Sequence, residues 1–162
     1  MEKQLVINVE ERVTRAVNYF KSGYNCAQAV VMAFDDIMGL EPDHLARLVA
    51  PFGGGVGRMR EVCGTVSGMA FVAGAISPSA NPQNLDERKA NYALVQRFAD
   101  EFRRENGDIV CRRLLGLEPM VERAETAMPS ERTAEYYRKR PCAEYVGCAA
   151  RIVAEYLVAH KV

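Results

Sequence analysis

The chain has 162 residues, 49% of them hydrophobic, with 21 Lys plus Arg balanced by 21 Asp plus Glu. This size and apolar content suit a single domain, residues 1–162, with its own core. The balanced charge provides no net field to attract nucleic acid or an anionic membrane surface. The N-terminus lacks a signal-peptide pattern and no segment is long and apolar enough to span a bilayer, so we expect a cytoplasmic protein without membrane insertion.

Apolar residues recur at helical spacing along nearly the whole chain, and runs of alternating β-branched residues are missing. This pattern predicts an all-α helical bundle of about six to eight helices. The first helix is predicted from Val9 to Lys21, the second from the N-cap Asn25 to Gly39, and a short third from Pro42 to Val49. The glycine-rich segment from Pro51 to Gly57 predicts a loop.

Small residues fill the next predicted helix, from Val62 to Ser77, and we expect it to be the central buried helix because small side chains let neighbouring helices approach closely. A long amphipathic helix is predicted from Leu85 to Asn106 and a short one, capped by Asp108, as far as Leu115. The predicted inner face of the long helix comprises Tyr92, Val95, Phe98, Ala99 and Phe102.

The stretch from Leu117 to Lys139 has dense charge and two prolines, which favour either short helical pieces or an irregular excursion. Its charged end, from Glu131 to Arg140, is expected to be a solvated face. A last helix is predicted from Pro141 to about His160.

Five cysteines are an odd count that fits a secreted disulfide framework poorly and favours reactive or metal-bound thiols. Four of them, Cys26, Cys63, Cys111 and Cys142, fall in the first turn of a predicted helix. Unpaired N–H groups and the helix dipole favour a thiolate there, which predicts a lowered thiol pKa. Cys148 lies inside the last helix, roughly opposite Cys142 at about 100° per residue, and is left out of the site.

Several blocks of sequence carry a resemblance to a known family. They are Phe20 to Val30, the Phe-Gly-Gly-Gly loop from Phe52, Cys63 to Gly68, Cys111 to Gly116 and Cys142 to Val146. In their order and spacing they resemble the redox-active C_GCAxxG_C_C family, over residues 19–150. The four cysteines of the family name correspond to Cys26, Cys63, Cys111 and Cys142, and Thr65 replaces the usual alanine of the central motif. The resemblance implies a redox role but no particular reaction.

Three functions remain open for these four cysteines. As redox groups, with Cys26 and Cys63 as the first-choice pair, they would form disulfides that cycle with a redox partner protein or a small thiol electron donor, an oxidoreductase chemistry without a bound cofactor. As ligands, the same Cys26, Cys63, Cys111 and Cys142 would hold Zn²⁺ or an iron–sulfur cluster. In a non-catalytic helical interaction module they would only pack, as buried cysteines often do.

The glycine-rich loop is a second candidate site. Gly53, Gly54, Gly55 and Gly57 precede two arginines and could present backbone N–H groups to a phosphate or carboxylate of a cofactor or substrate. The loop lacks the Lys-Ser/Thr ending of a P-loop, and a close-packed turn leading to the Cys63 helix is the favoured interpretation. The apolar and small-residue helix faces also favour a homodimer.

Overall fold

The computed structural model describes residues 5–118 and 126–162. Secondary structure within these ranges is helical apart from one isolated bridge between Val62 and Val110, which confirms the predicted all-α class. The helices are α1 Val9–Lys21, α2 Cys26–Met32, α3 Asp35–Met38, α4 Pro42–Val49, α5 Gly64–Ile76, α6 Leu85–Asn106, α7 Cys111–Leu114, α8 Ala134–Lys139 and α9 Cys142–His160. In these ranges, no helix combines the length and apolar character needed to cross a membrane.

Three helices, α2, α5 and α9, pack against one another at the centre of the bundle. Helix α1 lies along α9 and α2, α6 covers α5 and α9, and α4 packs on α2. The buried side chains form one hydrophobic cluster in which Val30, Met69 and Ile152 represent the three central helices. The small residues of α5 serve the predicted purpose, because a Cβ added to Gly68 would lie only 2.9 Å from the Cβ of Val30 on α2.

The second predicted helix is divided into α2 and α3, with a break at Ala33 and Phe34. Arg12 of α1 is buried and donates from Nη1 to the Ala33 carbonyl at 2.8 Å and to Oδ1 of Asp36 at 2.6 Å. A carbonyl that accepts from a guanidinium no longer needs a helical N–H partner, so the chain turns here. The predicted end at Gly39 is confirmed, since Gly39 caps α3 in the left-handed conformation.

Two other predictions on the C-terminal side needed correction. Tyr92 does not face the core of the bundle, because its side chain is 59% exposed, and Leu94 is buried instead. Asp108 is not the N-cap of α7. Its carboxylate accepts from the N–H groups of Ile109 and Val110, and the helix begins at Cys111.

The stretch from Leu117 to Lys139 contains α8, so the expectation of short helical pieces is met at its end. Residues 119–125, with Pro119 among them, lie outside the described residues.

Candidate functional site

Each of the four candidate cysteines stands where the sequence predicted, at the start of a helix. Cys26, Cys111 and Cys142 are the first residues of α2, α7 and α9, and Cys63 is the N-cap of α5. The start of α2 is fixed by a capping box, in which the side chains of Asn25 and Gln28 each accept from the other residue's backbone N–H at 2.9 Å.

These helix starts converge, and Cys26, Cys63, Cys111 and Cys142 line one cavity of about 70 Å³. All five cysteines lie in the described ranges and are free thiols. Cys148 does not line this cavity and lies between α6 and α9, where its Sγ accepts from Nδ2 of Asn106 at 3.4 Å. The convergence that the four-cysteine hypothesis requires is therefore present.

A short backbone pairing brings Cys63 and Cys111 together. The N–H of Cys63 donates to the Ile109 carbonyl at 2.8 Å, and the N–H of Cys111 donates to the Glu61 carbonyl at 2.6 Å. These bonds flank the Val62 to Val110 bridge, so two distant segments enter the cavity side by side. No local pattern in the sequence marks this pairing.

Cys26 lies close to the start of α5. A Cβ added to Gly64 would lie 2.4 Å from Sγ of Cys26 and 2.9 Å from the carbonyl oxygen of Phe52. The sulfur therefore occupies the space above the first residue of α5, immediately beside Cys63. This contact gives a physical reason for the glycine that follows Cys63.

Burial dominates the electrostatics of Cys63, Cys111 and Cys142, contrary to the lowered pKa values expected at helix starts. Desolvation strongly raises the pKa of Cys63 and raises that of Cys142 to about 11, in both cases with a further contribution from the nearby charge of Cys26. Desolvation also raises the pKa of Cys111, against the opposing effect of Arg60, which donates to Sγ of Cys111 at 3.7 Å. These three thiols are protonated at neutral pH.

The glycine-rich loop packs on the start of α2 and borders the cysteine cavity through Gly54. Its own amides are engaged, because the N–H groups of Gly53 and Gly57 donate to the carbonyls of Ala50 and Pro51. This agrees with the favoured close-packed turn and leaves those two amides unable to bind an anion as proposed. Gly53, Gly54 and Gly57 do line a second, adjoining cavity, whereas a Cβ on Gly55 would lie 2.7 Å from Cβ of Cys111.

In the part of the chain that the structure describes, no group of three or more His, Cys, Asp or Glu side chains is arranged to hold a metal ion. The role of Cys26, Cys63, Cys111 and Cys142 as ligands of zinc or an iron–sulfur cluster stays a prediction.

The sequence did not identify the residues that close the cavity from the C-terminal side, Arg132, Tyr136 and Tyr145. The expectation of a solvated face from Glu131 to Arg140 is wrong for Arg132, whose guanidinium lies over the Phe20 ring, 4.2 Å from its centroid, and donates to the Phe20 carbonyl at 3.0 Å. The density of aromatic and Arg residues in this run is the one signal that could have indicated the contact.

Comparison with models of protein families matches residues 24–156 to the family described as "Putative redox-active protein (C_GCAxxG_C_C)". The matched range includes all four cavity cysteines and the glycine-rich loop. No match is found among curated proteins or among solved structures.

Proposed function

We propose that this chain, which belongs to the redox-active C_GCAxxG_C_C family, is a thiol–disulfide exchange protein that works through Cys26, Cys63, Cys111 and Cys142. The observation that supports this proposal is the meeting of four free thiols, each from a different helix start, in one cavity. Cysteines that serve only for packing have no physical reason to meet in one cavity at four separate helix starts.

Within this set, Cys26 is the best candidate for the attacking thiol. It is half-buried, as Cys142 also is, whereas Cys63 and Cys111 are only 6% and 7% exposed. Its charge also contributes to raising the pKa of each of Cys63, Cys111 and Cys142, so it lies within electrostatic reach of all three. A central and more accessible thiol can react first with an external disulfide, and the resulting mixed disulfide can then be attacked by a buried cysteine.

The exchange takes place in two steps. The Cys26 thiolate attacks a disulfide R–S–S–R, which forms a mixed disulfide between Cys26 and RS and releases RS⁻ to take up a proton. Cys63 then loses its proton and attacks Sγ of Cys26, which forms the Cys26–Cys63 disulfide and releases the second RS⁻. The protein loses two electrons and the external disulfide becomes two thiols. An external dithiol or two small thiols, abundant in a reducing compartment such as the cytoplasm, return the electrons.

The experiment is a thiol count on anaerobically purified protein. Reduced protein is mixed with hydroxyethyl disulfide, and the reaction is quenched with an alkylating reagent. The mass of the product, measured by mass spectrometry, gives the number of thiols that remain. We expect a loss of two thiols that dithiothreitol reverses. Replacing Cys26 with serine should abolish the reaction, whereas Cys63→Ser should accumulate the mixed disulfide on Cys26.

Cys148→Ser is the matched control, because Cys148 lies outside the cavity, and it should behave as the wild type. Elemental analysis of the same preparation covers the ligand alternative. Stoichiometric zinc or iron with unreactive thiols would replace the proposal with a metal-binding function, and inert thiols without metal would leave a packing role.

A further inference from the structure

A second cavity, of about 340 Å³, adjoins the cysteine cavity. The two cavities share five wall residues, Asn25, Gly54, Arg60, Arg132 and Tyr136. A molecule seated in the larger cavity therefore lies directly beside the thiols.

Arginine is the charged residue type in the described lining of the larger cavity. Its described lining contains four arginines, Arg58, Arg60, Arg132 and Arg140, and no Asp or Glu. Because the whole chain has equal numbers of basic and acidic residues, this concentration is a local feature. Among the described residues, no carboxylate forms an ion pair with Arg132 or Arg140, so the positive charge of these two is not neutralised within that part of the chain.

Two of the arginines are held in place by the fold. Arg132 donates to the carbonyls of Phe20 and Tyr24 at 3.0 and 3.2 Å. Arg58 donates to Oγ of Ser130 at 3.1 Å and also to the carbonyl of Met128. Such contacts fix each guanidinium before a ligand arrives, which lowers the entropy lost on binding.

Arg140 connects this charge to the chemistry of the thiols. It is half-buried between α8 and α9, and its positive charge favours the ionised forms of Cys111 and Cys142. The same arginine can therefore attract an anion and stabilise thiolates next to it.

We infer that the arginine-lined cavity binds the anionic group, a phosphate or a carboxylate, of a small-molecule disulfide and places its sulfur atoms at Cys26. This inference rests on the proposed exchange function and names its substrate class. Guanidinium groups form paired, charge-assisted hydrogen bonds with both kinds of anion. The volume falls in the range of small-ligand pockets, about 300 to 1,000 Å³, and a concave site of this size suits a small molecule better than a protein surface.

Binding is tested first, on the full-length reduced protein, with inorganic pyrophosphate and with succinate as probes in titration calorimetry. We expect saturable binding of at least one probe, with Arg140→Gln weakening it about tenfold, as loss of a charge-assisted hydrogen bond predicts. Preference for pyrophosphate identifies a phosphate-bearing ligand and preference for succinate a carboxylate. Arg138→Gln, an exposed arginine of α8 that does not line the cavity, is the matched control and should bind as the wild type.

Exchange is tested with three disulfides of similar size, the dianionic dithiodipropionate, the neutral hydroxyethyl disulfide and the dicationic cystamine. The wild type should react about tenfold faster with the anionic disulfide than with the neutral one, and slowest with cystamine. Arg140→Gln should lower the rate with dithiodipropionate about tenfold more than it lowers the rate with hydroxyethyl disulfide, which removes most of the preference. Arg140→Lys keeps the charge and should therefore retain part of the preference for the anionic disulfide. This partial retention shows that the loss in Arg140→Gln is not a folding defect.

The two proposals fail in different ways. Equal rates with all three disulfides and no binding of either probe would overturn the anion site and leave the exchange function intact. Probe binding that depends on Arg140, without reaction with any disulfide, would overturn the exchange function and with it the assignment of the cavity to a disulfide substrate. Tight binding of an acidic protein, with neither probe competing, would replace the small molecule with a protein partner.

Discussion

Replacing Gly64 with alanine tests how closely α2 and α5 approach at the thiol site. The new Cβ would lie 2.4 Å from Sγ of Cys26, 2.9 Å from the carbonyl oxygen of Phe52 and 3.2 Å from the backbone nitrogen of Ala27. Two of these atoms belong to the backbone, so a side-chain rotation cannot relieve the overlap. Overpacking of this kind costs about 1–3 kcal/mol, and only part of that is offset by the gain in helix propensity, about 0.5–1 kcal/mol.

We expect Gly64→Ala to lower the free energy of unfolding by about 1 kcal/mol, or the melting temperature by about 2–4 °C for a chain of this length. The assay is urea unfolding followed by circular dichroism, with the slope m compared to confirm that only the midpoint moves. The matched control is Gly74→Ala in the same helix, where a Cβ would meet nothing within 4 Å and the expected change is a stabilisation of about 0.5–1 kcal/mol. If both variants were equally stabilised, the close approach of Cys26 to α5 would be refuted.

Two further predictions concern the buried thiols. Burial raises the pKa of Cys63, Cys111 and Cys142, the last to about 11, so their contribution to stability is complete below the unfolded-state pKa of about 8.5 and is lost as pH rises above it. Urea unfolding should show a falling free energy between about pH 8.5 and the folded-state pKa of about 11, and a constant value would contradict the burial argument. Thr65→Ala removes the hydroxyl 3.1 Å from Sγ of Cys63. It should cost about 1 kcal/mol or more and slow the alkylation of Cys63 by raising its pKa further. Thr65→Ser keeps the hydroxyl and should alkylate as the wild type does, and it should lose less stability than Thr65→Ala because it loses only the buried methyl group.

Most of the helix boundaries were predictable because they depend on local chemistry. Asn25, Pro42 and Gly39 are capping or first-turn residues, and the ends that they mark agree with the structure. Four cysteines could be assigned to helix starts for the same reason. Their convergence could be inferred only through the family resemblance, because nothing within a single segment encodes the pairing of Cys63 with Ile109.

Tertiary contacts account for the predictions that failed. In the sequence, Arg12 falls among the polar residues of α1 and gives no sign of burial. In the folded chain it donates to the Ala33 carbonyl, at the point where the predicted second helix is divided. Arg132 was assigned to a solvated face because runs of charged residues are usually exposed to solvent. Its guanidinium instead lies over Phe20, more than 100 residues away in sequence, a contact that helical periodicity does not report.

The thiol pKa values show how two opposing effects are resolved in this fold. A helix start favours a thiolate, and removal from water disfavours it. At Cys142 burial prevails, although the thiol stands at the first residue of the 19-residue helix α9.

Neither a thiol nor a disulfide carries charge, so burial penalises only the transient thiolate and leaves both end states of the proposed exchange undisturbed. Burial therefore acts on the rate of the second step, in which a buried thiol must lose its proton, and this step becomes the slow one at neutral pH. In the proposed exchange, the RS⁻ released in the first step can accept that proton. Binding of its anionic group in the adjoining arginine-lined cavity would keep this base close to the thiols for the second step.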